Sequence, residues 1–300
     1  MTPRSDAIRC CPSCSSHNRR RRGNKNGFEI IRCTDCGTLY TATLPMAGGG
    51  QDYDAYYDAD NLSVPAFIAR RLDEIVVSFD SYRKTNKFLD LGCGAGSLLE
   101  AGKRAGWDVE GVEISKPAVE YLRSRSLNAF CGELKDACYP TAHFDVVTAS
   151  ELMEHIADPR PLLREIARVL RPGGLFWATT PHSLGASARL LQIGWTVVSP
   201  PEHLNLFSVS GLRKLLLDQG FCRVRIATEG LNPVELLHAW GRHQQPESAN
   251  GDDGTRRVQS SYRLNEALLS SGSRRAVKSI INGLLRATRL GDSLKVRAER

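Results

Sequence analysis

The 300-residue sequence has no apolar run approaching the roughly 20 residues that cross a bilayer, so a membrane-spanning helix is not expected. Its first thirty residues are polar and basic and lack the apolar stretch of a secretory leader, so export is not expected either. No segment recurs at a fixed period, which argues against a solenoid or propeller. Charge of one sign is not in large excess: 40 Lys and Arg against 33 Asp and Glu leave a net +7. With 41% hydrophobic residues, a chain of this length can bury a substantial core, and disorder of the whole is not expected. A cytoplasmic protein is the expectation.

What charge there is lies in groups. Arg19, Arg20, Arg21 and Arg22, followed by Lys25, form one; Arg274, Arg275, Lys278, Arg286 and Arg289 form another. A solvated face is the simpler reading of both, and an anionic partner the alternative. The first group falls between Cys11-Pro-Ser-Cys14 and Cys33-Thr-Asp-Cys36, two C-x-x-C knuckles eighteen residues apart. In a reducing compartment such pairs bind metal more often than they form disulfides. Their spacing suits one tetrahedral Zn²⁺ held by Cys11, Cys14, Cys33 and Cys36 as a structural zinc ribbon. Cys10 is then a spare thiol, and Cys93, Cys131, Cys138 and Cys222 read as small buried hydrophobes. A ribbon with a basic loop can pack, dock a substrate or grip RNA. Only Phe28 and Tyr40 lie nearby as stacking residues, so packing or docking is favoured over nucleic-acid binding.

Three regions follow: the ribbon at 1–45, a linker with N-terminal helices at 46–85, and a catalytic-type domain at 86–300. A helix is expected over 67–79, and Tyr53, Tyr56 and Tyr57 before it are candidates for a lid or for core packing. From residue 87, short apolar strands (88–91, 108–114, 128–131, 144–149, 175–180) alternate with helices (97–105, 117–124, 161–170), the pattern of parallel βαβ units. A helix at 210–219 and strands at 222–227 and 294–298 complete it. Residues 231–290 read as an insertion, with a polar loop at 244–259 and a helix at 276–290. That helix gathers Val277, Ile280, Ile281, Leu284 and Leu285 on one face, for packing on the sheet or for peripheral membrane contact.

The most informative segment is Asp90-Leu-Gly-Cys-Gly-Ala-Gly96, directly after an apolar strand and before a helix. Glycines there let the backbone turn sharply and approach a ligand, and the helix start offers free N–H groups. The next strand ends at Glu113, placed to accept both ribose hydroxyls of an adenosine ligand. The glycine spacing is G-x-G-x-G and not the G-x-G-x-x-G of nicotinamide dehydrogenases, and Asp90 would repel a pyrophosphate.

These residues resemble class I S-adenosylmethionine-dependent methyltransferases. Gly111-Val-Glu-Ile-Ser115 resembles their second motif, Phe144-Asp-Val-Val147 with Glu151-Leu-Met-Glu-His155 their fourth strand and its loop, and Arg168 to Gly174 the turn into their fifth strand. The likeness is greatest to the branch that includes ubiquinone-biosynthesis O-methyltransferases and glycan-modifying methyltransferases. It implies an α/β, Rossmann-like sheet of seven strands in the order 3-2-1-4-5-7-6, one of them antiparallel. It also implies cofactor contacts at Asp90, Gly92, Cys93, Gly94, Gly96, Glu113 and Ile114, an adenine contact at Glu133, and a backbone contact at Ser150. In the ubiquinone-type enzymes the Glu-x-x-Glu-His loop is associated with the active site and sometimes with a divalent ion. His155 is therefore the first candidate for a proton acceptor, followed by His203 in Pro200-Pro-Glu-His203 and by His182; a packing role is the alternative for each. The expected reaction is methyl transfer to a small-molecule or sugar acceptor at a hydroxyl. An RNA or protein methyltransferase recruited through the ribbon is the alternative, and a cofactor-free scaffold a third class.

Overall fold

Strands whose residues are apolar on both faces can be satisfied only inside a sheet covered on both sides. The computed structural model, which describes residues 8–45, 66–231, 233, 235–236 and 272–300 (backbone alone at 66–67 and 272–279), has such a sheet at its centre. Its strands are β4 (Lys87–Leu91), β5 (Asp108–Glu113), β6 (Asn128–Cys131), β7 (Phe144–Ser150), β8 (Leu170–Pro181), β10 (Cys222–Glu229) and β11 (Ser293–Glu299). They lie in the order β10-β11-β8-β7-β4-β5-β6, with β11 antiparallel to both neighbours and the β8-to-β6 half parallel. Counted along this sheet, that is the expected order 3-2-1-4-5-7-6.

Alternate residues of one strand enter opposite cores. Phe88, Val146, Leu175 and Trp177 meet α1 (Ala66–Val77), α2 (Ser97–Arg104) and α3 (Lys116–Ser124) through Val76, Leu99 and Leu122. Leu89, Val147, Phe176 and Ala178 meet α4 (Pro159–Val169) and α6 (Val209–Asp218) through Leu163, Ile166, Leu212 and Leu216. Local capping sets the helix starts: Ser115, Asp158 and Ser208 accept from the N–H of Ala118, Arg160 and Gly211.

The segment expected as a turn before the fifth strand lies within β8. Phe144 pairs with Leu170 but Val146 with Leu175, so Arg171 to Gly174 bulge out of the ladder. Gly174 allows this: a Cβ there would lie 2.9 Å from the Arg171 carbonyl and 3.1 Å from that of Asp145.

A second sheet joins the N-terminal cysteine region to the main body. It has the order β1 (Arg19–Lys25), β2 (Phe28–Cys33), β3 (Leu39–Thr41), β9 (Asn205–Leu206). Its apolar side, Phe28, Ile30 and Leu39, packs on Trp195, Val197, Val198 and Leu206. The arginine run expected as a loop is therefore the edge strand β1, with Arg21 paired to Glu29 and Arg22 bonded to Gln192.

Two cysteine expectations are corrected. Cys138 and Cys222 are exposed, Cys138 past a 3-10 turn with left-handed φ and Cys222 at the start of β10, where no second layer covers them. Tyr53, Tyr56 and Tyr57 and the 244–259 loop lie outside the described residues. The C-terminal helix α7 (Gly272–Thr288) buries Leu285 and leaves Ile280, Ile281 and Leu284 exposed.

Candidate active site

The C-terminal ends of β4 and β5 lie side by side, next to the β4–β7 boundary at which the strand order reverses, the place where open α/β sheets bind ligands. Gly92, Gly94 and Gly96 bend the chain there with φ of +62°, +49° and +78°. The N–H of Gly92 donates to the Val112 carbonyl at 2.8 Å, which ties the bend to β5. Glu113 closes the other side. Its Oε2 accepts from the Gly94 N–H at 2.9 Å, and its Oε1 accepts from the N–H groups of Ile114 at 2.8 Å and Ser115 at 3.0 Å. Glycine bend and carboxylate are thus one hydrogen-bonded unit. Cys93 turns its thiol into the layer beneath, where a Cβ on Gly111 would lie 2.7 Å from its Sγ.

Asp90 and Glu113 are both buried, and every hydrogen bond they make among the described residues comes from a neutral donor. Burial pushes Asp90 up to about 7 against the opposing 2.6 Å hydrogen bond from Thr148, and the charge of Glu113 adds to the rise. Two carboxyls at one spot, with no cationic side chain bonded to either among the described residues, form a site that a cationic ligand would relieve. Ile114, half exposed beside Glu113, offers an apolar shelf at the mouth. Glu133 follows β6 and is close through the Gly132 N–H bond to the Glu113 carbonyl, but its carboxylate is exposed and paired with Lys135 at 2.9 Å. Ser150 shares a hydrogen bond with Thr179 at 2.9 Å.

The loop after β7 carries the histidine. Its Leu152 closes on Gly92, to which an added Cβ would come within 3.0 Å, so the glycine bend touches this loop directly. His155 and His203 lie together, ring centroids 4.8 Å apart at 74°. Each Nδ1 sits on a backbone carbonyl, that of Glu202 at 2.9 Å and that of Val197 at 2.7 Å. A carbonyl only accepts, so each Nδ1 is the donor in these bonds. Burial holds His155 below the ordinary imidazole range. Glu154 beside it is buried and accepts from Thr180 at 2.9 Å; burial, and then the Glu151 carboxylate, push it well up. The ligating atoms of Glu154, His155 and His203 all lie within 4.8 Å of one another. His182 is elsewhere: it is buried with Nδ1 on the Gly291 carbonyl at 2.9 Å, and burial pulls it down to about 4.

The four expected cysteines also converge. Cys11 Sγ is 3.5 Å from Cys36 Sγ, Cys14 Sγ is 3.6 Å from Cys33 Sγ, and all four sulfurs lie within 4.8 Å. Tetrahedral zinc with Zn–S bonds of about 2.3 Å places its sulfurs roughly 3.8 Å apart, so the cluster fits such an ion with little movement. The hydrogen bond from Cys11 draws Cys36 down to about 5, so one thiolate is already favoured.

Three contributors at these sites had escaped the sequence reading. Thr148 stands opposite Asp90 in the β4–β7 ladder, and only the strand order reveals that register. Asn205 is fully buried beside the histidine loop, and Arg9 reaches it from the ribbon. An asparagine two residues after His203 was the one available signal.

Comparisons with known proteins agree with this geometry. A family model described as a methyltransferase domain matches residues 63–225. The curated relatives include the ubiquinone biosynthesis O-methyltransferase of Ralstonia nicotianae, 36% identical over 158 residues (50% of this chain, 64% of that one), and that of Idiomarina loihiensis, 31% identical over 142 residues (43% and 58%). The chain thus spans about three-fifths of the length of these relatives. Among solved structures, a SAM-dependent methyltransferase from Archaeoglobus fulgidus superposes with a TM-score of 0.54 at 18% identity, over 83% of this chain and 100% of that one; the likeness is one of fold.

Proposed function

The chain belongs to the methyltransferase-domain family of class I S-adenosylmethionine-dependent enzymes, and from that premise we propose that it transfers a methyl group from S-adenosylmethionine to a hydroxyl of a small-molecule or sugar acceptor. The observation that supports this most is the Glu113–Gly94 hydrogen bond, which joins the carboxylate proposed for the ribose to the glycine bend. Asp90 and the bend from Gly92 to Gly96 would hold the methionine end, Glu113 the ribose, and Ile114 and Glu133 the adenine edge. When bound, the cofactor supplies an activated methyl group on a cationic sulfur. The buried carboxyls of Asp90 and Glu113 suit that charge, and the protein's main task is to align acceptor and methyl group.

A hydroxyl acceptor must lose a proton. His155 and His203 are the groups proposed to take it. A second reading is favoured by the convergence of Glu154, His155 and His203, which would suit a divalent cation that lowers the acceptor's pKa. The cysteine cluster would hold a structural zinc. With Arg21 and Arg22 of the edge strand engaged with Glu29 and Gln192, recruitment of RNA is the lesser reading.

Calorimetric binding of S-adenosylhomocysteine tests the assignment. We expect saturable binding, weakened roughly 10- to 100-fold in Glu113→Ala, as the loss of one or two hydrogen bonds to a charged group predicts. No binding by the unmodified protein would overturn the reading.

A further inference from the structure

The histidine pair is built from two chain segments distant in sequence, and what holds them together is the cysteine ribbon. Strand β3 of the ribbon pairs with β9, so that Tyr40 stands opposite Asn205 and Leu39 opposite Leu206. The Thr41 N–H continues this ladder to the Leu204 carbonyl at 3.1 Å, next to His203. Leu204 in turn donates its N–H to the Glu154 carbonyl at 2.8 Å, next to His155.

Two side chains complete the tie. Asn205, fully buried, donates from Nδ2 to the Ile156 carbonyl at 2.6 Å. Arg9, just ahead of the first knuckle, donates to the Ala157 carbonyl at 2.5 Å, to Asn205 Oδ1 at 2.9 Å and to Thr41 Oγ1 at 3.0 Å. These acceptors, and the Thr41 carbonyl at 3.4 Å, are all neutral oxygens. The guanidinium is partly buried, and these bonds offset its desolvation. The knuckles grip the helices that follow each histidine segment: Arg160 at the start of α4 donates to the Cys11 carbonyl at 3.3 Å, and Ser210 at the start of α6 donates to that of Cys36 at 2.9 Å.

We infer that the cysteine ribbon is a clamp that sets the His155–His203 pair, with Arg9 and Asn205 as its positioning residues. The inference rests on the proposed reading of that pair as the acceptor end of the site. It gives the ribbon a role in the reaction without contact to cofactor or acceptor. Metal in the knuckles holds β3 and the two helix starts, and Arg9 and Asn205 transmit that order to the imidazoles. The glycine bend and Glu113 hold one another by a hydrogen bond, and the bend meets the histidine loop through an apolar contact at Leu152, so the clamp is expected to affect the histidines far more than cofactor binding.

The test uses the full-length zinc-loaded protein with its 7 histidines isotopically labelled at the imidazole, and His155→Gln and His203→Gln to assign the signals. Titration by NMR is followed in the unmodified protein, in Arg9→Ala, Arg9→Lys and Asn205→Ala, and after removal of zinc by a chelator. Loosening the clamp admits water to the pair. We expect the midpoint of His155 to rise in Arg9→Ala, towards the ordinary imidazole value, and to rise in the same direction after chelation. S-adenosylhomocysteine binding should stay within about twofold of the unmodified protein. Arg9→Lys keeps the charge but loses the forked geometry and should behave like Arg9→Ala. Histidine titrations unmoved in Arg9→Ala, or restored by lysine, would overturn the inference. So would loss of S-adenosylhomocysteine binding together with the histidine shift, which would make the ribbon a general folding element. Should Arg9→Ala fail to fold, Asn205→Ala decides by the same readout. Failure of the unmodified protein to bind S-adenosylhomocysteine would sink the cofactor reading while leaving the histidine titration to judge the clamp.

Discussion

Asp90 and Glu113 differ by one kind of neighbour. Glu113 receives three backbone N–H donors, whereas Asp90 receives a single hydroxyl and faces Glu113's charge. Burial therefore raises Asp90 from 3.8 to about 7. A carboxyl raised on folding favours the protonated native state, so its contribution is full below 3.8 and is lost as pH climbs to about 7. Asp90→Asn removes that penalty. It should stabilise the ligand-free protein at pH 8 by on the order of 2 kcal/mol in denaturant melts. The same change deprives a cationic ligand of its counter-charge and should weaken S-adenosylmethionine binding roughly tenfold by calorimetry. A variant that loses stability at pH 8 would contradict this account.

Glu133, by contrast, keeps an exposed carboxylate on Lys135. Glu133→Ala should change S-adenosylhomocysteine affinity by less than about threefold, because an exposed pair is worth little. A loss comparable to that of Glu113→Ala would restore it as a principal adenine contact.

At the scale of elements, β7 shows why a motif can be found before its purpose. The run Phe144-Asp-Val-Val147 is legible as a buried strand, yet its aspartate looks misplaced among apolar residues. In the fold, Asp145 is fully buried and accepts from the N–H groups of Lys84 at 2.7 Å, Thr85 at 2.7 Å and Asn86 at 2.8 Å, and from Arg171 Nε at 2.5 Å. Burial alone would raise it; the Lys84 N–H and the Arg171 guanidinium, with the other two amides, outweigh that and hold it below the usual carboxylate range. It thereby anchors the entry to β4 and the bulge in β8. Asp145→Ala strands Arg171 and three amides and should cost about 3–5 kcal/mol in denaturant unfolding. Because its pKa is depressed, its contribution is present above the ordinary carboxylate range and lost as pH falls. The bulge itself was read as a turn because glycines announce a bend without saying whether the ladder resumes beyond it.

For the whole molecule, the shared sheet leads us to expect that the ribbon and the main body unfold as one cooperative unit. Sheet β1-β2-β3-β9 takes its fourth strand from beyond β8, and the ribbon's apolar side is covered by Trp195, Val197 and Val198. One zinc per chain is expected by elemental analysis. Cys33→Ser should abolish it and lower the melting temperature of a single transition by roughly 4–8 °C, as a loss of about 2 kcal/mol would in a domain of this size. Two separate transitions, with the larger unmoved, would show instead that the ribbon is an independent unit.

The sequence by itself determined the period of each element, the glycine bend, the carboxylate that ends β5 and the four thiols, because these are local patterns of residue type and spacing. It also carried the strand order, through resemblance. The tertiary structure alone decided which of the three histidines stand together, that Thr148 faces Asp90, and that Arg9 reaches Asn205 across the join of ribbon and core. Those depend on which strands become neighbours and in what register, and hydrogen bonds between residues far apart in the chain leave no local pattern to read.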